Sequence, residues 1–167
     1  MKKEFTHNDL FLRKGCYSLL MVANFCKHRP NIITLYDIMT SDIPLTDKQW
    51  FLYHECSIEK HESMAITLKV LYVVLPMLEK VFPDDKKPRE ALEAFELYID
   101  GKIKMRDIVN KRFNQYRNYD VTDYVADGIN YALDSRFSAA ARNAIAATIA
   151  DPSYNNAVLQ VFIDNCL

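Results

Sequence analysis

Met64-Ala65-Ile66-Thr67-Leu68-Lys69-Val70-Leu71-Tyr72-Val73-Val74-Leu75-Pro76-Met77-Leu78 is the most apolar window of the chain, and its reading decides the fold. Wound as an α-helix it is apolar nearly all the way round, so it has to be buried on most sides and serves as the central helix. It falls short of the about 20 residues needed to span a bilayer, and it carries Lys69 and Pro76. Spacing extends this helix over Ile58 to Phe82, with Ser57 as its cap. Pro76 lacks a backbone donor and is expected to kink or split the helix near Tyr72 to Leu75.

Outward from its C-terminal end comes Phe82-Pro83-Asp84-Asp85-Lys86-Lys87-Pro88-Arg89-Glu90-Ala91-Leu92-Glu93-Ala94-Phe95, running on to Gly101. Asp84 or Asp85 can face the first amides of a new helix, and Pro88 suits its first turn. Ala91, Leu92, Phe95, Tyr98 and Ile99 form its apolar stripe, while Glu93, Glu96 and Asp100 line the opposite side. Gly101 is placed to stop it in the left-handed conformation. Arg89 is expected to pair with Glu93, four residues on. Further helices follow over Ile103 to Arg117, over Asp123 to Ser135 with Thr122 as cap, over the alanine-rich run Ala139 to Ala150, and over Tyr154 to Asn165.

In the other direction, Asn8 to Lys27 has helical spacing and ends at Arg29-Pro30, because the residue before proline is pushed out of the α region. A short helix or turn is expected around Ile33 to Met39. Thr46-Asp47-Lys48-Gln49 reads as a capping box that opens a helix carrying Trp50, Phe51 and Tyr53. No segment alternates enough to be read as a strand. The expected fold is therefore all-α, a single domain over residues 1–167. Its seven or eight helices form either an irregular bundle or a set of stacked helical hairpins.

Composition narrows the function. Half of the 167 residues are hydrophobic and about a quarter charged, as in ordinary soluble proteins, and three glycines disfavour turn-rich β architectures. The net charge of −1 offers no field for nucleic acid or an anionic membrane. The first residues have no apolar stretch after Lys2-Lys3, which with four widely spaced cysteines points to a reduced, cytoplasmic setting. Charge is unevenly divided: residues 57–101 hold six basic and nine acidic side chains, residues 102–136 seven and five.

Catalytic chemistry leaves few traces. Gly15, Gly101 and Gly128 stand too far apart for a phosphate-cradling loop, and no serine sits in a nucleophile elbow. His54 and His61 are seven apart, not the four that a helical zinc pair needs. Cys26, His28, His54, Cys56 and His61 have the right chemistry for zinc, but their spacing fits packed thiols and surface histidines better. No catalytic group, metal or cofactor is expected. Lys102, Lys104, Arg106, Lys111, Arg112 and Arg117 fall on different sides of a helix, which favours a solvated helix over a nucleic-acid face. Tyr116, Tyr119, Tyr124 and Tyr131 cluster in one part of the chain, and tyrosine often anchors interfaces.

The run Val73-Val74-Leu75-Pro76-Met77-Leu78-Glu79-Lys80, then Pro83-Asp84-Asp85-Lys86-Lys87-Pro88-Arg89-Glu90-Ala91-Leu92-Glu93-Ala94, then Tyr98 and Gly101-Lys102, resembles a family of bacterial immunity proteins. The shared features are a proline–aspartate–aspartate turn, a proline–arginine pair opening a helix, and a glycine after it. Leu45 to Phe51 and the alanine-rich tail also look similar, so the likeness is drawn over about residues 45–103 and more loosely to Ala150. The resemblance implies an all-helical protein that protects a cell from a polymorphic toxin by binding it.

Three readings follow. The first is a non-catalytic, cytoplasmic protein-binding protein, immunity-like or a phage-encoded inhibitor. Its partner is a toxin or host protein, and its contact surface includes Arg89, Glu93, Glu96, Asp100, Tyr116 and Tyr119. The alternatives are a small helical enzyme using dispersed groups such as Glu55, Glu59 and His61, and a nucleic-acid-associated accessory protein using the basic helix.

Overall fold

The computed structural model of the chain describes residues 1–12, 19–111, 121–148 and 151–165. The elements run β1 (Glu4–Thr6), α1 (His7–Leu12), α2 (Leu19–Cys26), β2 (Ile32–Thr34), α3 (Leu35–Met39), α4 (Leu45–Glu55) and α5 (Lys60–Val81). They continue with α6 (Lys87–Ile99), α7 (Met105–Val109), α8 (Val121–Leu133), α9 (Phe137–Ala147) and α10 (Ser153–Asp164). Helices dominate, as the spacing requires.

The apolar window forms the middle of α5. It buries Met64, Ile66, Leu68, Val70, Leu71, Val74, Leu75 and Leu78, and packs against α6, α8, α9 and α10. One helix touching four others makes this an irregular bundle around a central rod, not a linear stack of hairpins in which each pair meets only its neighbours. Pro76 lies exposed within α5 and the helix runs through it unbroken, so the expected split is absent. Val74, Leu75 and Leu78 are buried on either side of the proline, and their packing holds the helix together across the one lost backbone bond.

On one side α5 meets α8 and α9 at small residues. Ala126, Ala132, Ala140, Ala141 and Ala144 are fully buried there. A Cβ added at Gly128 would stand 3.1 Å from Leu71 Cδ2 and 3.2 Å from the Ala140 carbonyl oxygen, so any side chain there would press the three helices apart by a few tenths of an ångström. Gln49 of α4 ties in from outside, donating to the Ser138 carbonyl and hydroxyl at 3.1 Å each.

Several local expectations are corrected. β1 and β2 form a two-stranded antiparallel sheet with Phe5 opposite Ile33, where no strand was expected. Three residues per strand are too few for a period of two to stand out. Each strand runs straight into a helix through a capping box. Thr6 Oγ1 accepts from Asp9 N–H at 3.1 Å while Asp9 Oδ2 accepts from Thr6 N–H at 2.9 Å, and Thr34 with Asp37 does the same at 3.1 and 2.8 Å.

The expected box at Thr46 does not form. Pro44 precedes α4, its carbonyl accepting from the amides of Asp47 and Lys48, and this places Thr46 inside the helix. Ser57 has φ +47°, outside the extended region a cap needs, so α5 starts later, behind Glu59. Thr122 likewise lies within α8 and is buried. The long first helix is described only as α1 and α2, with residues 13–18 between them outside the described residues. The helix expected over Ile103 to Arg117 is the single turn of α7 before residues 112–120, which also lie outside.

Candidate partner-binding face

Helix α6 begins as its sequence dictates. Asp85 Oδ1 accepts from the Lys87 amide at 3.0 Å, and Pro88 occupies the first turn. It ends at Gly101, whose φ of +72° is the left-handed conformation that glycine adopts without strain. Pro88, Ala91, Leu92, Ala94 and Phe95 are buried, so the helix turns Arg89, Glu90, Glu93, Glu96, Leu97 and Asp100 outward. Residues 93, 96, 97 and 100 share one side at about 100° per residue.

Arg89 does not pair with Glu93. Its Nε and Nη2 donate to Glu79 Oε1 and Oε2 at 2.7 and 2.8 Å, a bidentate clamp from α6 back to α5. Glu79, half-buried near the end of α5, offers both carboxylate oxygens to the guanidinium, the two-bond pairing that suits an arginine fork. The hydrogen bonds from Arg89 hold the Glu79 carboxyl below its usual range, and the same pairing raises Arg89 further.

Beside the clamp, Tyr72 of α5 donates its hydroxyl to Glu96 Oε2 at 3.2 Å. Burial, followed by the charges of Glu96 and Glu93, pushes the Tyr72 phenol up to about 12, with Arg89 pulling against it. Asp100 holds Lys102 at 2.9 Å, and that bond raises the lysine. The face is thus a charged row of one arginine and three exposed acids, Glu96 bonded by Tyr72 and Asp100 by Lys102, with Leu97 among them at 40% exposure.

Arg89, Glu93, Glu96 and Asp100 are therefore brought onto one surface. Tyr116 and Tyr119 lie outside the described residues, as do Arg112 and Arg117. Tyr124 is exposed, and Tyr131 is half-buried under the Arg136 guanidinium at 4.5 Å. Sequence reasoning missed Leu97 and Tyr72. The arithmetic that placed Glu93 and Glu96 on the wet side also places Leu97 there, so that signal was present; the bond from Tyr72 needs the packing of α5 against α6.

The other candidate chemistry is dispersed. Cys26 and Cys56 are buried, and burial pushes the Cys26 thiol up. His54 stacks on Trp50 and its Nε2 lies 3.0 Å from Ser138 Oγ. Among the described residues no group of three or more His, Cys, Asp or Glu side chains is placed to hold a metal. Glu59 and His61 are exposed, and Glu59 precedes the first turn of α5. Lys102, Lys104, Arg106 and Lys111 are exposed as well. No helix among the described residues is long and apolar enough to cross a membrane.

The fold and this face define a class: a predominantly helical bundle that presents the charged outer face of a helix beside its central rod. Residues 54–117, from the end of α4 through α7, match the family described as Imm-5 like putative immunity protein. The resemblance read from the proline–aspartate–aspartate turn and the proline–arginine pair holds over this segment. The match begins nine residues later than the sequence likeness suggested and extends further, to Arg117, and the alanine-rich tail lies outside it. No curated protein and no solved structure matches the chain.

Proposed function

We propose that this chain is an immunity-type protein that acts in the cytoplasm as one helical domain, binding a partner protein stoichiometrically and without catalysis. The partner is a toxin or another protein with a basic surface. The observation that carries this reading is the outer face of α6, which lies inside the segment that matches the immunity family. Glu93, Glu96 and Asp100 stand exposed around Leu97 there. Carboxylates in this arrangement speed encounter with a basic partner and orient it, and the leucine supplies an apolar contact at the centre. The clamp between Arg89 and Glu79 fixes the helix that carries them.

The experiment is affinity capture from the native host by the wild-type chain and by a variant with Glu93→Ala, Glu96→Ala and Asp100→Ala, followed by reconstitution of the captured protein. The expected result is a partner that binds one-to-one, binds the variant more weakly, and loses a toxic activity when bound. Turnover of a small molecule by the isolated chain, with no protein captured, would overturn the reading.

A further inference from the structure

A partly open cavity of about 420 Å³ lies between α1, α2, α3 and α4, away from α6 and outside residues 54–117. Its apolar wall is formed by Leu10, Val22, Ile38, Ile43, Trp50 and Phe51. That volume is within the range of small-ligand pockets, about 300–1,000 Å³, and such pockets pair an apolar wall with a few fixed polar groups.

Arg29 is the fixed group. Its guanidinium carbon lies 3.9 Å from the centre of the Phe25 ring, and its Nη1 donates to the Phe25 carbonyl at 2.6 Å. These contacts set the plane of the guanidinium and leave Nε and Nη2 without a partner among the described residues. Asp37 is within electrostatic reach of Arg29, but its Oδ2 is taken by the Thr34 amide and hydroxyl at 2.8 and 2.6 Å. Asp42, also on the lining, is within electrostatic reach of Lys48, whose Nζ donates to the Ser41 carbonyl at 2.6 Å. Asn24 adds a neutral amide.

A planar donor fork at the edge of an apolar cavity matches a carboxylate on an apolar body. The geometry points to a binding site for a small amphipathic monocarboxylate, its carboxylate on the free edge of Arg29 and its apolar body against Trp50 and Phe51. This site stands independently of the protein-binding reading, because it shares no residue with the α6 face.

Trp50 is the single tryptophan of the chain, so its emission reports on the cavity directly. The probes are octanoate and octanol, titrated into the full-length protein. The expected result is a saturable change in Trp50 emission, with octanoate binding about tenfold or more tighter than octanol, as a charge-assisted bond requires. Arg29→Met brings octanoate down to the level of octanol and leaves octanol within about twofold of wild type, which also shows that the cavity is intact. Arg29→Lys, which keeps the charge and loses the fork, falls between. Equal affinity of the wild type for the two probes, equal weakening of both by Arg29→Met, or no Trp50 response up to the solubility of the probes overturns the assignment.

Discussion

The seam where α5, α8 and α9 meet and the outer face of α6 are opposites in construction. In the seam, Leu71, Gly128, Ala140 and Ala144 approach so closely that a single added methyl at Gly128 would press on a backbone carbonyl. On α6, Glu93, Glu96, Leu97 and Asp100 are exposed, and the clamp to Glu79, the bond from Tyr72 and the Asp100–Lys102 pair tie that side down. The difference teaches where each kind of substitution should be felt. Packing in the seam sets whether the protein folds, and the α6 face is free to vary without unfolding it.

The largest effect belongs to the seam. Leu71→Ala removes a fully buried side chain from the central helix and is expected to destabilise by about 2–5 kcal/mol in chemical denaturation. Gly128→Val comes next. It adds atoms where a Cβ already meets Leu71 and Ala140 at 3.1 and 3.2 Å, and overpacking of this kind costs about 1–3 kcal/mol. If either variant melted like the wild type, the seam would not be a close-packed core.

Smaller effects belong to the clamp. Arg89→Met is expected to cost about 1 kcal/mol or less, because both partners are partly exposed. The folded-state carboxyl of Glu79 titrates below its ordinary value of 4.5, so the stabilisation is present above that value and fades as pH falls through the lower, folded one. The gap in melting temperature between wild type and Arg89→Met should therefore be open at neutral pH and close in acid. A gap that persists in acid once Glu79 is fully protonated would assign the stabilisation to packing of the arginine stem instead.

The smallest effect is electrostatic. Glu96→Gln removes a charge that helps raise the Tyr72 phenol, so its pKa should fall from about 12 with little change in melting temperature. Absorbance titration, taken as the difference from Tyr72→Phe, reads this shift. An unchanged value would leave burial and the Glu93 charge as its causes.

Much of this division was legible in the sequence. The apolar window from Met64 to Leu78 announced the central rod, and Asp85, Pro88 and Gly101 marked both ends of α6 to within a residue or two. The signals that misled were local motifs read without their surroundings. Thr46 and Gln49 have the form of a capping box, but Pro44 already opens α4 and Gln49 is drawn to Ser138 across the fold. The boxes that form, at Thr6 with Asp9 and Thr34 with Asp37, carry the same signature and went unread because short strands precede them. Arg89 pairs with Glu79, not Glu93, which no spacing along one helix reveals: the packing of α6 on α5 brings both Glu79 oxygens within reach.

The most direct test of the central claim is isothermal titration of the captured partner into wild type and into the variant carrying Glu93→Ala, Glu96→Ala and Asp100→Ala, each at low and at moderate salt. The expected result is one-to-one binding by wild type that weakens with salt, and a variant of unchanged melting temperature that binds about tenfold more weakly with a flatter salt dependence. Equal affinity and equal salt dependence for the two proteins would contradict it and move the contact surface off α6.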